Sequence, residues 1–93
     1  CPDYAINNHW LNILYLDTSF SINRLQLLKK FIANKIEVRP VWNLNHSQKM
    51  YKKFEYFEIE NSNRLNSRSL CLPSSSNISE QQINKIVNLL KNL

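Results

Sequence analysis

Ninety-three residues without a single glycine rule out one set of backbone devices from the start. Glycine accepts positive φ without steric penalty and lets the backbone approach a phosphate closely. Glycine-rich phosphate loops of the GxGxxG or Walker type are therefore not available to this chain. Fourteen asparagines stand in the sequence, with many Ile and Lys. That bias reads as AT-rich coding, and asparagine also serves where a left-handed backbone is needed.

The length allows one small domain. Such a chain buries about two-thirds of its unfolded surface, enough for a core but not for a deep cleft of its own. A hydrophobic content of 43% argues against wholesale disorder. No apolar run approaches the roughly 18 to 20 residues that span a bilayer. The opening Cys1-Pro2-Asp3-Tyr4 has neither a Met nor a basic-then-apolar leader, and it reads as the interior of a longer chain. Cys1 and Cys71 lie far apart, and neither forms a short ligand pair with His9 or His46, so structural zinc is not expected. Two separate thiols fit a reducing cytoplasm. The net charge of +5 suits an anionic partner or simple solubility, and the basic residues are spread as solvated faces would spread them.

Periodicity gives the order of elements. "HWLNILYLD" (9–17) reads as a strand whose near-continuous apolarity suggests burial on both faces. Ile22, Leu25, Leu28, Phe31 and Ile32 recur at helical spacing and predict a helix over 20–34. Ser19 or Ser21 is its expected cap, and Asn34 its expected left-handed terminus. "KIEVRPVW" (35–42) is a second strand, which Pro40 confines to an edge or a strand end. Short helices are expected over 46–53 and 57–67, then a strand at "SLCLP" (69–73). Ser79 with Gln82 forms a capping box, Ile78 and Ile83 a hydrophobic staple, for a helix that runs to the C-terminus. The fold class is α+β: a small, mainly antiparallel sheet with helices on one face.

The chemistry-bearing residues gather in "EVRPVWNLNHSQKMYKKFEYF" (37–57). Arg39 offers a planar fork to a carboxylate or phosphate, or else pairs with a nearby Glu. Trp42 is either a stacking surface or core, and His46 either a donor to a substrate oxygen or a solvated loop residue. His9 is expected to be structural, opening a buried strand, and Cys71 to be a small buried hydrophobe. No nucleophile motif, paired carboxylate or metal cluster is present, so the chain alone is not expected to catalyse a reaction.

Taken together, "NNHWLNILYLD", "NKIEVRPVWNLNHSQKMY" and "CLPSSSNISEQQINKIVNLLKNL" resemble the C-terminal end of the DegT/DnrJ/StrS sugar aminotransferases. In that family a "GI-x-x-RP" strand leads to a "P-L-H…Y" loop, and "LPSS" precedes the last helix. Here Lys35-Ile36 replaces Gly-Ile, and Leu44-Asn45-His46 stands for Pro-Leu-His. The resemblance implies a single domain over 1–93, the small C-terminal domain of a fold-type I aminotransferase. The Schiff-base lysine and phosphate cup of pyridoxal phosphate would lie in a large domain outside this sequence, and no cofactor is expected on this piece. It further implies glutamate and a nucleotide-linked keto sugar as reactants, a homodimeric parent, and a role in surface-glycan synthesis. Arg39, Trp42 and His46 would line the substrate side of the cleft.

A second class is a free-standing basic module that binds nucleic acid through Lys29, Lys30, Lys49, Lys52 and Lys53. It requires exposed aromatics for stacking, whereas Trp10, Tyr15 and Phe31 sit in apolar patterns, so nucleic acid is not the expected partner. A third is a purely structural or dimerisation piece without a small ligand.

Overall fold

A computed structural model describes residues 1–93. Three strands form one antiparallel sheet: β1 (Asn12–Tyr15), β2 (Arg39–Pro40) and β3 (Ser69–Leu72), in the order β1-β3-β2. Three helices accompany it: α1 (Arg24–Ala33), α2 (Glu60–Arg68) and α3 (Glu80–Lys91). The α+β expectation holds, and so does the edge position that Pro40 imposes on β2.

Register sorts the side chains by face. Leu14 and Pro40 both pair with Leu70; Leu70 is in the core and Leu14 packs against it, while Pro40 at the edge is exposed. Ile13 and Arg39 both pair with Cys71, which puts that row on the opposite face. The core itself is Leu16, Leu27, Phe31, Ile36, Val38, Leu70 and Ile86, so α1 and α3 close over one side of the sheet. Leu27, Phe31 and Leu70 are completely enclosed.

The helix ends carry their own logic. Asn23, not Ser19 or Ser21, caps α1, in a capping box with Gln26. Ser79 and Gln82 form the expected box on α3. At the C-terminus of α1 the left-handed residue is Lys35, with φ of 55°, while Asn34 has φ of −92°. The Lys35 N–H donates to Ile32 (2.9 Å) and the Ile36 N–H to Phe31 (3.0 Å). These two bonds define a Schellman motif, whose hydrophobic contact is Ile36 against Phe31 in the core. The lysine therefore occupies the position where the resembled motif carries glycine.

Other expectations need correction. β1 is shorter than 9–17 and is not buried on both faces, because α1 and α3 cover only one of them: Ile13 and Tyr15 are exposed. Trp10 is 67% exposed and outside the strand. His9 is likewise exposed, with φ of 53° and its N–H turned to Asn7 Oδ1, so it opens no buried strand. No α-helix forms over 46–53. Instead a 3-10 turn, Asn45–Ser47, starts a run of turns that ends at Phe54, where the Ser47 hydroxyl bonds the Leu44 carbonyl. Helix α2 begins three residues later than expected and buries no side chain.

The chain is extended for its size. Its radius of gyration is 15.6 Å, against about 12 Å for a compact domain of this length. Its accessible area of 7974 Å² exceeds by roughly 2,300 Å² that of a compact monomer of equal mass.

Candidate functional site

Strand β2 delivers the first candidate. Glu37 and Arg39 are two apart on extended backbone and so share a side. Arg39 donates from Nε (3.1 Å) and Nη2 (2.6 Å) to the same oxygen, Oε1 of Glu37. Both side chains are more than 70% exposed. The hydrogen bond to Glu37, and then the charge of that carboxylate, raise the guanidinium pKa above its ordinary value, so Arg39 is cationic at every working pH. Nη1 and the other carboxylate oxygen stay open to solvent. The ion pair with a neighbouring Glu is thus what the isolated chain adopts, and it leaves part of the fork available.

Two residues past Pro40 comes Trp42, which is 66% exposed and not part of the core. Its ring lies 5.9 Å from that of Trp10, tilted by 40°. Its carbonyl accepts a hydrogen bond from Asn66 Nδ2, and the carbonyl of Asn66 accepts one from Arg24 Nη1 at 2.6 Å. This Arg24–Asn66–Trp42 chain links α1, the end of α2 and the loop after β2. Arg24 and Asn66 were not identifiable from the sequence, because both bonds run between segments far apart in the chain. Arg68 makes a comparable clamp on the Leu16 carbonyl.

His46, in the 3-10 turn, is half-buried and lies 5.1 Å from the ring of Tyr56. Each of the three candidates has its own partner: Arg39 has Glu37, Trp42 has Trp10 and Asn66, His46 has Tyr56. No hydrogen bond or ring contact joins them to one another. The roomier surface grooves lie elsewhere, between α1 and α3 and between the start of α1 and the end of α2. Cys71 is half-buried in β3, beneath neither helix, and is a free thiol like Cys1. No group of three or more His, Cys, Asp or Glu side chains stands close enough to hold a metal ion. No helix is long and apolar enough to cross a membrane.

Chemically, this surface can present a cation, an indole pair and an imidazole to something that lies against it. It contains no paired nucleophile and base.

A pyridoxal phosphate-dependent aminotransferase by name, EpsN of Bacillus subtilis (strain 168), is 30% identical over 98 residues. That match covers 99% of this chain and 25% of the relative. The GDP-perosamine synthase of Vibrio cholerae is 31% identical over 89 residues, or 95% of this chain and 24% of that protein. The chain thus spans about a quarter of the length of these relatives. The model of the DegT/DnrJ/EryC1/StrS aminotransferase family matches residues 2–91, and the chain belongs to that family.

Proposed function

We propose that this chain is the C-terminal domain of an enzyme that moves an amino group from glutamate to a keto sugar carried on a nucleoside diphosphate. The observation that carries this reading is the family match over nearly the whole chain, with relatives named for aminotransfer and for a GDP-linked amino sugar. The residues of this chain do not fit a pyridoxal phosphate site by themselves. All eight lysines are exposed, so none has the enclosed setting that a Schiff-base lysine needs. The cofactor belongs to the remainder of the parent protein, and it supplies the electron sink for the chemistry.

The part left to this chain is recognition and closure. Arg39 would offer its open Nη1 to an anionic group of the substrate, as a rigid and permanently charged fork. Trp42 would stack against a flat or apolar face of the ligand, and His46 would donate a hydrogen bond to an oxygen. Closing this surface over the cleft would exclude water and strengthen those contacts. Surface-glycan synthesis in the cytoplasm and a homodimeric parent belong to the same proposal.

The test is spectroscopic and chemical. Full-length protein should show the pyridoxal phosphate absorbance band, lose it on incubation with glutamate, and aminate a nucleotide-linked keto sugar. A full-length protein that takes up no pyridoxal phosphate would sink the reading.

A further inference from the structure

We propose that Arg24 is a positioning residue for the sugar half of the reaction: acting through Asn66, it fixes where the loop that carries Trp42 and His46 stands. This rests on the aminotransfer reading, with that loop facing the substrate, and goes on to two residues that touch no substrate themselves.

Helix α1 gives no reason of its own for an arginine at its first position. Asn23 caps it, and its first turn holds no acidic residue. A cation there faces the positive end of the helix dipole, an unfavourable place for it. The partner of Arg24 lies on another element. Its Nη1 donates to the Asn66 carbonyl at 2.6 Å, in a half-buried bond. Asn66 stands in the last turn of α2, where carbonyls lack partners within the helix and the dipole is negative. The charge that is out of place on α1 is therefore well placed against α2.

Helix α2 depends on such bonds, because it buries no side chain. Two donors from outside hold the carbonyls of its last turn: Arg24 on Asn66, and the Leu16 N–H on Arg68 at 2.9 Å. The loop after β2 depends on α2 in turn. Val41, Trp42 and Asn43 make no hydrogen bond between main-chain groups, and Ser47 and Gln48 bond only within the loop. One hydrogen bond reaches residues 41–47 from another element, from Asn66 Nδ2 to the Trp42 carbonyl. The amide that holds Trp42 thus belongs to the residue whose main chain Arg24 holds. A shift of α2 passes to Trp42, whereas the backbone of Arg39 is fixed by its pairing with Cys71.

The experiment is a double-variant cycle in the full-length protein, with the two half-reactions measured apart. Arg24→Met and Asn66→Ala should each raise KM for a GDP-linked keto sugar about three- to tenfold, the scale of one hydrogen bond, and leave the glutamate half-reaction unchanged. Because the two residues act in series, the double variant should be no worse than Asn66→Ala alone. Arg24→Lys keeps a cationic donor and should recover most of the loss. A second readout needs no catalysis: the fluorine resonance of Trp42 in protein grown on 5-fluorotryptophan, identified by its absence in Trp42→Phe. It should move in both variants and in the same direction. Additive effects in the cycle would overturn the proposal, as would equal loss in both half-reactions or a resonance that stays in place in Arg24→Met. If the protein performs no aminotransfer while the resonance moves, the aminotransfer reading fails and the coupling of Arg24 to Trp42 stands.

Discussion

Replacing Lys35 with glycine should stabilise the chain, although the change deletes a long side chain. Lys35 sits at φ of 55°, where an L-residue with a Cβ is about 1 to 2 kcal/mol worse off than in the right-handed region. Glycine removes that strain but gains about 0.4 to 1 kcal/mol of unfolded-state entropy. The difference is a net gain of about 0.5 to 1 kcal/mol. For a domain of this size it corresponds to a rise in Tm of roughly 2 to 8 °C. No other contact is lost, because the two hydrogen bonds of the motif use the backbone of Lys35 and Ile36. Urea unfolding followed by circular dichroism should shift its midpoint upward without changing its slope. Lys35→Ala keeps the Cβ and should show no gain, Lys35→Asn a partial one, and Lys35→Val a loss. If glycine and alanine behave alike, left-handed strain is not what distinguishes this position. The helix terminus would then owe its geometry to the Ile36–Phe31 contact alone.

Three further outcomes are expected. Phe31→Ala empties the centre of the core between α1, β3 and Ile36 and should cost about 3 to 5 kcal/mol in the same unfolding assay. Arg39→Lys keeps the charge and loses the fork. In the full-length enzyme kcat/KM should fall about ten- to a hundredfold while the Tm is unmoved, and the reverse pattern would make the residue structural. Asn66→Ala removes the donor to the Trp42 carbonyl, so the loop after β2 should loosen. KM for the nucleotide-linked sugar should then rise several-fold, with the glutamate half-reaction untouched; equal loss in both would place Asn66 in the fold rather than behind the binding surface.

How much of this was legible depends on how local the cause is. The α3 cap follows from Ser79 and Gln82 three apart, and the edge position of β2 from one missing N–H at Pro40. Both causes lie within a few residues of their effects. The cap of α1 was misplaced because three polar residues compete there, and only Asn23 has a Gln three residues on. The helix expected over 46–53 gave way to turns. There Ser47 bonds the Leu44 carbonyl with its own hydroxyl, competition of a kind that apolar periodicity does not register. For the site, the sequence singles out Arg39, Trp42 and His46 by residue type, but exposure is a property of what surrounds them. An apolar run such as "HWLNILYL" says that a face is covered by something, not that the cover lies within the same 93 residues. The Arg24–Asn66–Trp42 chain was invisible for a similar reason, since its partners meet only in three dimensions.

The central place of β3 also fixes when the sheet can exist. Its partners lie thirty residues or more upstream, Asn12 facing Leu72 and Arg39 facing Cys71, and β1 and β2 never pair with each other. During synthesis both edge strands leave the ribosome before the strand that joins them. Until then the capped helix α1 has little but its own local bonds, and the apolar residues of β1 wait without a neighbour. The sheet then forms in a late step that must close two long loops at once, a slow kind of event for so small a unit. Whatever follows β3 in the chain, α3 included, is laid onto a sheet that has only just appeared.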